Sequence, residues 1–225
     1  MNHFSKGTID FLKSLKENNN KEWFEQNRDI YNDVLLLPMK HISKQLEPVM
    51  RNIDPFIETS PSVGKSVSKI YRDLRFSHDK TPYRTEAWVS FKRPKRLIEN
   101  SPEFFLYFTT EEYQIGMGYY CSTPENMARY RRNVIIDNDE FSDFIDSFNS
   151  RHDIEVFGEE YKKKMASDLP EKFQPWMQKK TLYISRTRPI DELFYSEDII
   201  PLTADIFNFS AKLYGFFINN VDDVI

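Results

Sequence analysis

Apolar residues recur three and four positions apart through the first fifty residues. Ile9, Leu12 and Leu15 form a stripe that predicts a short helix over 8–17, with Thr8 placed to cap it. The run Asn18-Asn19-Asn20 ends that helix, because asparagine tolerates a left-handed backbone and caps well. Asn20 then opens a second helix from Lys21 to about Leu37, burying Trp23, Phe24, Tyr31, Val34 and Leu35. Pro38 suits the first turn of a third helix carrying Ile42, Leu46, Val49 and Met50.

From Val67 the period changes. Val67–Tyr71, Glu86–Phe91, Glu103–Thr109 and Tyr113–Cys121 are β-branched or aromatic runs with partial alternation, which predicts strands. "TEEY" at 110–113 marks a hairpin, and the unbroken apolar run Phe104–Phe108 predicts a central strand covered on both faces. Helical signals return at 123–136, where Thr123 caps, Pro124 fits the first turn and Glu125 suits the helix dipole. They continue from Asp139, with Phe141, Phe144, Ile145 and Phe148 on one face. Short strands are expected at Ile154–Phe157 and Thr181–Ser185, and a final helix from Thr203 to about Asn219. The order predicts an α+β fold: a central, mostly antiparallel sheet packed by N-terminal, middle and C-terminal helices. With no repeat or linker, residues 1–225 read as a single domain, and "DPFIETSPSVGK" (54–65) as a loop joining layers.

Composition narrows the class. Nineteen Phe, twelve Tyr and three Trp supply apolar area enough to oppose chain entropy, so disorder is excluded. Cys121 is the only cysteine, which rules out an intrachain disulfide and a cysteine-based zinc site. The start has no apolar leader pattern and no run approaches the ~18 residues of a membrane span, so a cytoplasmic protein without a membrane segment is expected.

Charge changes the picture more. Residues 65–96 hold ten Lys/Arg against Asp73, Asp79 and Glu86, a net +7, while the whole chain is −4; the remainder is therefore −11. A local basic patch on an acidic body points to a discrete anionic ligand more than to a nucleic-acid coat. "WVSFKRPKR" (88–96) offers Trp88 and Phe91 for base stacking, yet their odd spacing puts them on opposite strand faces, which argues against nucleic acid.

Familiar catalytic motifs are absent: no GxGxxG, no GxxxxGK[ST], no GxSxG and no HExxH. His3, His41, His78 and His152 lack ligand spacing, so no metal site is expected. In "QIGMGYY" the glycines relieve crowding or make a bulge, and Cys121 reads as a buried small hydrophobe. The sequence names neither a cofactor nor an oligomeric state. What remains is "YRDLRFSHDKTPYR" (71–84). Arg72, Arg75 and Lys80 suit a phosphate or carboxylate, Asp73 and Asp79 are their natural counter-ions, and Tyr71, Phe76 and Tyr83 give an apolar floor. Tyr83 and Arg131, the latter on the helix opened by Thr123, are further candidate ligands. Three readings stand at this stage: ion pairs that staple a long loop, an anion pocket, and a catalytic group. A basic docking face for an acidic protein or nucleic acid is the alternative to the small ligand.

Three blocks together resemble a known family. "NNNKEWFEQNRDIY" (18–31), "IYRDLRFSHDKTPYR" (70–84) and "GMGYYCSTPENMARYR" (116–131) are similar to the signature blocks of the domain of unknown function 2461, and Leu169–Pro170 and "WMQKKTLYI" (176–184) look related. The resemblance implies one intracellular α+β domain and supplies no activity, cofactor or catalytic residue. It places Arg72, Asp73, Arg75, Phe76, Ser77, Asp79, Lys80, Pro82 and Tyr83 on the family's central motif, with Gly118, Pro124 and Arg131 in the third block.

Overall fold

The computed structural model describes residues 3–75, 78–162 and 169–219. Helix α1 (Lys6–Glu17) is capped by Ser5, not by Thr8. The Ser5 amide donates to Thr8 Oγ1 at 3.0 Å, and the Thr8 hydroxyl donates to Val34 O at 2.6 Å, so Thr8 serves inside the first turn. Asn20 does cap α2 (Lys21–Gln26), accepting the Trp23 N–H at 3.0 Å.

The expected long second helix is broken. Asn27 leaves helical geometry at φ −110, ψ 15, its N–H shared between Trp23 O and Phe24 O, while its Nδ2 donates to Trp23 O at 2.8 Å. α3 (Arg28–Tyr31) and a π-helical turn (Asn32–Leu36) follow before α4 (Leu37–Ile53), whose first turn holds Pro38 as expected. The wider turn rotates the apolar face so that Leu35, Met39, Ile42, Leu46 and Met50 are all sealed. Phe24 and Tyr31 are buried, whereas Trp23 and Val34 are half-buried.

Among the described residues, five strands form an antiparallel sheet in the order β1-β2-β3-β5-β4: β1 (Ala87–Phe91), β2 (Glu103–Phe108), β3 (Glu112–Tyr119), β4 (Glu155–Phe157) and β5 (Leu182–Pro189). The β2–β3 hairpin is closed by Thr109 N–H donating to Glu112 O at 2.9 Å. The expected strand at 67–71 is instead a set of isolated bridges, Val67 to Val63 and to Val89, and Tyr71 to Tyr83. The Trp88 amide donates to the Ser68 hydroxyl at 3.1 Å, so a side chain takes a donor that a ladder would have used. β2 is interior, as expected, but only one face is fully covered: Phe104, Leu106 and Phe108 are buried while Phe105 and Tyr107 are partly open.

α5 (Pro124–Ile136) starts at the predicted Thr123 cap, with Asn126 completing a capping box. α6 (Asn138–Ser150) buries the four predicted apolar residues. A 3-10 turn (Glu171–Phe173), α7 (Gln174–Met177) and α8 (Ile199–Ile218) complete the elements among the described residues. None of the described helices is long and apolar enough to cross a membrane.

The chain divides into two compact units: one from the amino terminus to Phe91 with Phe105–Ile115 and Thr187–Asp205, the other from Lys92–Phe104, Gly116–Arg186 and Ile206 onward. The first has a ring cluster in its core. Phe4 lies 4.7 Å from both Phe108 and Phe194, and Phe194 lies 5.4 Å from Tyr113. In the second, Phe141 meets Phe216 at 4.9 Å and Trp176 at 5.8 Å. Gly118 sits at φ +149, where a Cβ would fall 2.3 Å from Leu182 O, so the crowding read from "QIGMGYY" is real.

Candidate functional site

The 71–84 loop of the first unit leaves and returns through two backbone rungs. Arg72 N–H donates to Pro82 O at 2.9 Å and Arg84 N–H to Ile70 O at 2.8 Å, flanking the Tyr71–Tyr83 bridge. Asn19 locks this base from another element. Its Nδ2 donates to Tyr83 O at 2.9 Å and its Oδ1 accepts the Tyr83 N–H at 3.0 Å. Tyr83 is 2% exposed and stacks on Phe24 at 4.2 Å, with Tyr71 5.3 Å away. The first two signature blocks thus meet through one amide clamp and one ring stack.

Above that base the charges pair. Arg72 Nη1 donates to Asp79 Oδ2 and Thr81 Oγ1, and Asp79 Oδ1 accepts the Thr81 N–H at 2.9 Å. The Thr81 amide, then Arg72, holds the Asp79 carboxyl at about 2, against an ordinary 3.8. Arg75 forks onto Asp73, with Nε to Oδ1 at 2.9 Å and Nη2 to Oδ2 at 2.6 Å, which pulls Asp73 to about 2. Both pairings anticipated from the sequence are present, but they differ in setting. The Arg72 side chain is 24% exposed, whereas those of Arg75 and Asp73 are 77% and 53% exposed. Lys80 Nζ donates to Leu74 O at 3.1 Å, so its ammonium is held on the backbone of the same loop, next in sequence to Arg75. Phe76 and Ser77 lie outside the described residues.

Nearby rings are shielded from ionising. Burial pushes the Tyr31 hydroxyl up to about 12, and burial with the neighbouring Tyr71 raises that of Tyr83. Arg28 lies over the Phe24 ring at 5.5 Å and is bound by Glu25, which, with Tyr71, favours its charged form.

Of the residues picked from the sequence, Arg72, Asp73, Arg75, Asp79, Lys80 and Tyr83 come together on this loop; Arg131 does not. It belongs to the second unit, where Nε donates to Met177 O at 3.0 Å, Nη2 donates to Lys179 O at 2.6 Å, and the guanidinium lies over Tyr161. It is a buried strut (9% exposed), because those carbonyls need donors. Tyr83 is floor rather than rim. Cys121 corrects another expectation: it is exposed, at the end of a strand that has turned toward solvent. Phe91 is buried, which removes one of the two rings offered for base stacking, while Trp88 carries Arg84 at 5.1 Å. Sequence reasoning missed Asn19 and Thr81. Three consecutive asparagines, of which capping uses only the outer two, were the available signal.

An acidic cavity of about 430 Å³ in the same unit, lined by Glu86, Glu111, Glu112 and Lys16, is no place for an anion. Among the described residues no group of His, Cys, Asp or Glu is arranged to hold a metal.

The family's conserved hypothetical protein profile, DUF2461, matches residues 7–216 of the 225-residue chain. The protein belongs to the DUF2461 family. For this DUF2461 member the match spans the loop, the Asn19 clamp and all five strands. A comparison with curated proteins returned no match.

Proposed function

We propose that this protein binds a small anionic ligand, a phosphate or carboxylate, on the rim of the 71–84 loop, through Arg75 and Lys80. One observation carries the reading: the loop is pre-shaped by bonds of its own. The Asn19 clamp, the backbone rungs and the Arg72–Asp79–Thr81 knot fix its base and its Asp79–Tyr83 arm, which lowers the ordering cost of binding. On that fixed support sit two cations whose present contacts are easily exchanged. An exposed Arg–Asp pair contributes little, and a planar guanidinium released from Asp73 matches a phosphate or carboxylate edge. Arg72 is then a positioning residue that sets the rim's shape. We place the protein in the cytoplasm, since an exposed lone thiol suits a reducing compartment.

The test is a thermal-shift series with phosphate, sulfate and malonate on wild type, Arg75→Lys and Arg72→Lys. At a hundredfold excess over Kd a ligand adds about 2.7 kcal/mol, which for a chain of this size raises Tm by about 5–10 °C. Arg75→Lys should keep the apo Tm and lose most of that rise, because lysine keeps charge but not the fork. Arg72→Lys should lower the apo Tm. A wild type that responds to none of the three anions overturns the small-ligand reading and leaves the basic docking face.

A further inference from the structure

We infer that a cavity in the second unit, between the Lys92–Ser101 turn and the end of β3, is a second small-anion site, distinct from the 71–84 loop. Its volume is about 260 Å³, below the about 300–1,000 Å³ typical of drug-sized ligands, which suits a phosphate group or a short carboxylate.

Charge sets the ligand class. Lys92, Arg93 and Lys95 line the cavity against a single carboxylate, Glu103, a lining of net +2 (three cations less one anion). Glu103 is matched by Lys92 at 3.0 Å. Arg93 lies buried on the same wall, 7% exposed. Lys95 pairs with Glu99, one turn on, but their side chains are 82% and 68% exposed. Such a pair is weak and gives way readily to a doubly charged ligand. Asn100 and Ser101 add neutral hydrogen-bonding groups to the same wall.

Two sequence features left over by the loop converge here. The basic run "KRPKR" supplies the cations, and "GMGYYC" of the third block supplies the opposite wall. Gly118 lets that wall lie close on the β5 backbone, where any side chain would clash with Leu182 O.

Cys121 lines the cavity, is exposed, and is the chain's one cysteine, so its alkylation reports on this cavity alone. The experiment compares alkylation of the native protein by iodoacetate, which is anionic, and iodoacetamide, which is neutral. A basic cleft should raise the iodoacetate-to-iodoacetamide rate ratio about tenfold over that of the urea-unfolded chain. Inorganic phosphate, added at constant ionic strength, should slow both reagents saturably and remove most of that enhancement. Lys92→Gln and Lys95→Gln should each lower the ratio and weaken the protection, and Arg75→Lys should leave both unchanged. A native ratio equal to the unfolded one, a rate indifferent to phosphate, or protection intact in both lysine variants would overturn the inference. Protection at Cys121 stands whether or not the loop responds to anions, so the two sites fail separately.

Discussion

Arg72 and Arg75 stand three residues apart in the same motif, yet their surroundings give them different work. Arg72 is drawn inward by Asp79 and Thr81, while Arg75 stays on the surface with Asp73. Asp79 titrates well below its ordinary range because the Thr81 amide, more than Arg72, favours the carboxylate. Carbon-detected NMR of the carboxyls should therefore place the Asp79 midpoint at about 2 in wild type. Arg72→Gln should raise it only part of the way to 3.8, since the amide bond survives. The linkage sign follows from the depressed folded value. The unfolded chain takes up protons first, so the contribution of Asp73 and Asp79 is complete above 3.8 and is lost as pH falls toward about 2. A midpoint of 3.8 in wild type would mean that the knot does not form. Trp23 and Phe24 make a second residue-level contrast. Phe24 is 1% exposed between Tyr83 and Tyr31, so Phe24→Ala should cost about 3–5 kcal/mol in urea unfolding. Trp23, half-buried against Phe11, should cost at least about 1 kcal/mol less. Equal costs would contradict this packing.

At the scale of elements, the amino-terminal helices matter to the site through one side chain. Asn19 ends its stretch by reaching across the fold to both backbone groups of Tyr83. Asn19→Ala removes two hydrogen bonds at a part-buried base and should cost about 2–3 kcal/mol; amide exchange at Tyr83 should quicken more than at Val89. An exchange rate at Tyr83 unchanged by the substitution would separate the clamp from the loop. Gly118→Ala should be poorly tolerated as well, since its left-handed backbone and the contact with Leu182 O exclude a methyl group. These two residues show where sequence legibility ends. Periodicity located β1, β2, β3, α5 and α6 closely, because their apolar faces are continuous and their caps are local. It misread 21–37 as one helix, because the break is a single non-helical backbone at Asn27 that leaves the apolar spacing intact. It misread 67–71 as a strand, because Ser68 carries the right alternation while taking the ladder's donor. The loop's ion pairs were legible as neighbouring opposite charges. Asn19 was not, since its partner is 64 residues away.

At the scale of the molecule, the chain passes between its two units at five points, after Phe91, Phe104, Ile115, Arg186 and Asp205. No single cut therefore frees either unit, and β2, β3, β5 and α8 each span a passage. The chain should unfold in one transition, with circular dichroism and tryptophan fluorescence coincident in urea; limited proteolysis that yields a folded 1–64 or 122–225 fragment would contradict this. The uneven charge belongs at this scale too. The +7 segment within a −4 chain supplies cations at two places, one in each unit: the rim at Arg75 and Lys80, and the cavity at Lys92 and Lys95. Anion binding at the rim is what the proposed function stands on. A crystal structure grown in sulfate tests it most directly. A sulfate should lie within hydrogen-bond distance of the Arg75 guanidinium and Lys80 Nζ, with Arg72 still knotted to Asp79 and Thr81. Sulfate found only at Lys92 and Lys95, with Arg75 still forked onto Asp73, would contradict it.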